Sequence, residues 1–80
     1  MRIGEAIAKR IEALCKERGI TLNKLAAISG ITQSTLNNMI GGSSRNPTVS
    51  TIQKLCDGLE ITIVEFFDTP EFLNLEQELE

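Results

Sequence analysis

The sequence predicts an all-α domain of five helices with a short C-terminal helical tail, and three observations carry that prediction. Apolar residues recur at three- and four-residue spacing along the chain, threonines stand where helices would begin, and glycines stand where two of them would end. At 80 residues there is room for one small domain, able to bury about 60–65% of the surface of its unfolded chain.

Ile3, Ile7, Ile11 and Leu14, flanked by Ala6 and Cys15, form an apolar stripe with Lys9, Glu12 and Lys16 facing away from it, so a first helix runs to about Gly19. Lys16 and Arg18 suit the negative end of its dipole, a more ordinary role than a phosphate contact. Thr21 can cap a short second helix, in which Leu22, Leu25 and Ala26 repeat the spacing. Gly30 then falls where a left-handed residue is wanted, with apolar Ile31 just beyond it.

Thr32 caps a third helix through Ile40. Leu36, Met39 and Ile40 share one face of it, and Gln33, Ser34, Asn37 and Asn38 line the other, an exposed row of amides and hydroxyls. Residues 41–47, GGSSRNP, read as a loop without the GK[ST] ending of a phosphate-binding P-loop. Thr48 caps a fourth helix bearing Val49, Ile52, Leu55, Cys56 and Leu59, with Gly58 expected to loosen its end. Thr62-Ile63-Val64-Glu65 is a capping box opening a short fifth helix that carries Phe66 and Phe67 toward the core. Behind Thr69, Pro70 can start a tail helix with Phe72, Leu75 and Leu79 on one face. The expected division is a domain over 1–68 and an acidic tail over 69–80, with no internal repeat or low-complexity segment.

Composition narrows the function classes. Charged residues make up 24% and hydrophobic residues 41%, ordinary for a soluble globular chain, and no apolar run approaches the length of a membrane span. With no signal-peptide pattern either, a cytoplasmic location is expected. Cys15 and Cys56 are isolated and have no histidine companion, so they read as buried small apolar residues and no metal site or cofactor is expected. The absence of His and Tyr, and of any carboxylate pair in an apolar setting, leaves no candidate catalytic residue. All three aromatics lie beyond the third helix, which disfavours the base-stacking platforms of single-strand binders.

The net charge of −3 conceals a segregation. Residues 1–56 hold all eight Lys and Arg against three acids, while residues 57–80 hold eight acids and no base. A basic body is thus joined to an acidic tail, and duplex DNA remains a possible partner for the body.

Four segments, LCKERGITLNKLA, SGITQSTLNNM, GGSSRNPTVSTIQKLC and GLEITIVEFF, together resemble the XRE family, the Cro and phage-repressor-like helix-turn-helix proteins, over roughly residues 3–67. The resemblance implies a five-helix, lambda-repressor-like DNA-binding domain that regulates transcription, in many relatives as a repressor. It implies that the helix over 32–40 lies in the major groove, with Gln33, Ser34 and Asn37 on base edges and Lys24, Asn38 and Arg45 on phosphates. It also implies a homodimer on a two-fold-related operator. Ile63 and Val64, where relatives are usually more polar, and Phe72, Leu75 and Leu79, an apolar face beyond what so small a core covers, are the dimerisation candidates, and the alternative is that the tail folds back on the first and fifth helices. Leu22 stands where relatives commonly carry a phosphate-contacting Gln, and Cys15 and Ile40 stand where many carry a buried Arg–Glu pair. The rival reading is an interaction module of antitoxin or anti-repressor type, with weak or lost DNA binding and a protein partner on the acidic tail.

Overall fold

A computed structural model of the chain describes residues 1–41, 47–77 and 79. Its elements are α1 (Ile3–Arg18), α2 (Leu22–Ser29), α3 (Gln33–Ile40), α4 (Val49–Leu59), α5 (Ile63–Phe67) and a terminal 3-10 turn (Pro70–Leu73). The expected caps are in place. Thr21, Thr32, Thr48 and Thr62 each accept a hydrogen bond from a first-turn amide, and Glu65 closes the capping box by accepting from the Thr62 amide at 2.9 Å.

Three of the connections are one device used three times. Gly19-Ile20-Thr21, Gly30-Ile31-Thr32 and Glu60-Ile61-Thr62 each follow a helix with a left-handed residue, an isoleucine and a threonine cap. The isoleucine amide donates to the carbonyl five residues back, Cys15, Ala26 and Cys56 respectively, at 3.0–3.1 Å. This is the Schellman end, and each isoleucine packs half-buried against the core as that motif requires. The chain therefore does contain a short repeat, of connectors and not of domains, which periodicity alone does not reveal.

The core is drawn from every helix. Ile11, Leu25, Leu55, Cys56 and Phe66 are fully enclosed, with Leu14, Ala26, Leu36 and Ile52 around them. α4 lies across α2, and α1 packs on α3. Both cysteines are buried free thiols, and burial pushes their pKa values above the ordinary range, so they fill space as apolar residues do. Cys15 is buried on α1, and Ile40 packs half-buried against the same cluster from α3. Leu22 likewise turns into the core margin.

Several expectations need correction. Val49 lies in the first turn of α4 and is 75% exposed, so the stripe of that helix begins at Ile52. Gly58 does not loosen the helix end. It sits inside α4, where a Cβ would collide with Ser29 Oγ and lie 3.1 Å from the Ile28 carbonyl oxygen, so it is the point where α4 and α2 touch backbone to backbone.

The tail departs from expectation as well. Its helical part is the single turn Pro70–Leu73, and residues 75–77 are not helical. Phe72 and Leu75 are half-buried whereas Leu79 is 88% exposed, so the three do not share one face. Phe72 stacks edge-on against Phe67 with ring centroids 4.9 Å apart, and Phe67 meets Phe66 in the same way at 4.9 Å. Further on, the Glu76 amide donates to the Met1 carbonyl at 3.0 Å, and the Glu76 carboxylate pairs with the Met1 ammonium at 3.0 Å. The tail folds back onto α1 and α5.

Candidate nucleic-acid interface

α3 owes its position to its two neighbours. α2 sets its start through the Gly30 turn, where Gly30 adopts φ 70° and Ile31 anchors the turn to the core. α1 packs on it from the other side. Thr32 closes the exposed first turn, accepting from the Thr35 amide at 3.1 Å and sharing a hydrogen bond with the Thr35 hydroxyl at 2.9 Å. Leu36 and Met39 fasten the opposite face into the core.

This leaves Gln33, Ser34, Asn37 and Asn38 exposed along one short helix. Gln33 and Asn37, one turn apart, carry carboxamides with no hydrogen bond to any other described residue. Lys24 is exposed on α2, next to the Thr21 cap to which its amide donates at 3.0 Å. Arg45 lies outside the described residues.

The positive charge of residues 1–56 is distributed differently from what a simple count suggests. From Ile20 to Ser44 the only charged side chain is Lys24. Arg10 is committed to structure: its Nε donates to the Phe66 carbonyl at 2.7 Å, its terminal nitrogen donates to the Glu65 carbonyl at 3.0 Å, and its guanidinium stands 6.0 Å from the Phe66 ring centroid. Sequence reasoning does not single out Arg10, because the carbonyls it caps are unsatisfied only once α5 has docked.

An exposed, uncharged, capped helix held by a Gly-apolar turn against a second helix is a helix-turn-helix arrangement, and its dimensions suit a major groove. A sequence model of the Cro/C1-type HTH DNA-binding domain matches residues 10–71. The chain belongs to the Cro/C1-type helix-turn-helix family. It is 34% identical over 62 residues to the HTH-type transcriptional regulator SlrR of Bacillus subtilis, covering 78% of this chain and 41% of that protein. It is 32% identical over 68 residues to the HTH-type transcriptional regulator PuuR of Escherichia coli, covering 85% of this chain and 36% of that one. The chain thus spans about two fifths of the length of these curated relatives. Among solved structures, the prophage Lp1 protein 11 superposes with a TM-score of 0.82 at 36% identity, covering 94% of this chain and all of that one. No helix among the described residues is long and apolar enough to cross a membrane.

Proposed function

We propose that the chain acts as a sequence-specific DNA-binding regulator of transcription, reading the major groove with α3. The observation that carries this reading is the exposed row of Gln33, Ser34 and Asn37 on a helix whose other face is locked into the core. In this reading those three side chains contact base edges, while Lys24, Asn38 and Arg45 hold phosphates. The relatives named as transcriptional regulators support it.

The regulator works in pairs, with two α3 helices about 34 Å apart on successive turns of duplex. Val64, 76% exposed on α5, and its neighbour Ile63 are the centre of the pairing surface. Phe72 and Leu75 contribute less, because the fold-back of the tail already covers them in part. An interaction module without DNA binding is the weaker reading, since its support is confined to the acidic composition of the tail and to Leu22 standing in place of a phosphate-contacting Gln.

Anisotropy titration of an operator duplex and its single-base variants tests the assignment. Gln33→Ala is expected to flatten the preference at one position of each half-site. Arg45→Ala should weaken all duplexes alike and reduce the slope of log affinity against log salt by about one unit. Equal, sequence-independent losses in both variants would contradict the roles given to them.

A further inference from the structure

We propose that α3 selects A·T pairs through Gln33 and Asn37, and that this discrimination does not depend on salt. The inference rests on the DNA-binding reading and deepens it by naming the bases. α3 carries no charged side chain at all. In the major groove, guanine offers two acceptors that suit Arg or Lys, whereas adenine offers an acceptor beside a donor, the complement of a carboxamide. Of the three carboxamides on α3, those of Gln33 and Asn37 make no hydrogen bond to another described residue. The Thr35 hydroxyl, which is able to serve either base, is engaged by Thr32 at 2.9 Å. Ser34 remains as a reader indifferent to base type.

Spacing sharpens the claim. Four residues of helix rise about 6 Å, less than two base-pair steps of about 3.4 Å, so the two adenines lie at adjacent positions or one apart. They can occupy either strand. Because both contacts are hydrogen bonds between neutral groups, they release no counterions. Salt lowers the affinity for every duplex through Lys24 and any other phosphate contact, but leaves the ratio between right and wrong bases unchanged.

The test uses the full chain and a random duplex pool, followed by 7-deazaadenine placed in the selected half-site. That base keeps its pairing and loses the N7 acceptor. The expected result is A·T at two neighbouring positions, with affinity falling about tenfold at each on deaza substitution. The position read by Gln33 should be insensitive in Gln33→Ala, and that read by Asn37 insensitive in Asn37→Ala. The ratio to an A-to-G variant should hold between about 50 and 200 mM salt. G·C at the positions lost in these variants, or a ratio that collapses with salt, overturns this inference while leaving DNA binding intact. A pool yielding no enriched duplex defeats the DNA-binding reading, and this one with it.

Discussion

At Gly58 the separation of α2 and α4 is set by a missing methyl group. Gly58→Ala brings a Cβ against Ser29 Oγ and within 3.1 Å of Ser29 Cα, both on a packed helix. Overpacking of this kind costs about 1–3 kcal/mol, and the better helix propensity of alanine returns at most about 1. The variant should therefore lose stability in urea unfolding. Ser29 Oγ is itself buried without a hydrogen-bond partner among the described residues, so Ser29→Ala should be neutral or stabilising and should recover part of the loss when combined with Gly58→Ala. An unaltered midpoint for Gly58→Ala would show that the helices are free to move apart. Glu60 poses the converse case, a side chain at φ 58° where the two equivalent connectors have glycine. Relief of left-handed strain, about 1–2 kcal/mol, outweighs the added freedom of glycine in the unfolded chain, about 0.5–1. Glu60→Gly is thus expected to raise the thermal midpoint. A fall would mean that Glu60 makes a compensating interaction. The Gly30 turn was legible from sequence because its signal is local, whereas Gly58 was not, because its partner Ser29 lies in another helix.

Elements differ in what holds them. α1 and α4 are long enough for an amphipathic stripe to declare them, and the third helix was read to within a residue from Thr32 and its apolar face. α5 has five residues, too few to persist alone. It is fixed at one end by the Thr62–Glu65 capping box, visible in sequence, and at the other by Arg10, which contacts a residue 56 positions away and leaves no local trace. Arg10→Lys keeps the charge but cannot present two donors in a fixed fork. A loss of about 1–2 kcal/mol is expected, with faster amide exchange in α5 than elsewhere. Uniformly unchanged exchange would argue that Phe66 alone suffices to dock the helix. The row on α3 was legible as an exposed polar face because helical spacing dictates it. The tail was misread for a related reason: Phe72, Leu75 and Leu79 fit a helical period, but Phe72 gains more from Phe67 than a continued helix would gain in solvent.

For the molecule as a whole, the segregation of charge seen in the sequence is partly resolved by folding. The Met1 ammonium and, secondarily, Arg2 hold the Glu76 carboxylate below its ordinary value of 4.5, the hydrogen bond from the ammonium being the larger cause. A lowered carboxylate pKa means that the contact contributes fully above the ordinary value and is lost as pH falls through the folded one. The tail should therefore loosen on acidification, readable as the resonances of Met1 and its α1 neighbours moving toward those of a chain cut after Asp68. Resonances already equal at neutral pH would show that the tail is not docked in solution. The same truncation removes four of the eleven acids and turns the net charge from −3 to +1. It should lower stability by about 1–2 kcal/mol through loss of Phe72, while pairing through Ile63 and Val64 persists in sedimentation. A truncated chain that no longer pairs would return the interface to the tail. The three repeated connectors have a thermodynamic consequence on meeting a duplex. Each is three residues long, bonded at its amides and anchored by an isoleucine, so the α1–α2, α2–α3 and α4–α5 junctions have little ordering left to undergo. These junctions should then add no folding-on-binding increment to the negative heat-capacity change that calorimetry records for the contact area.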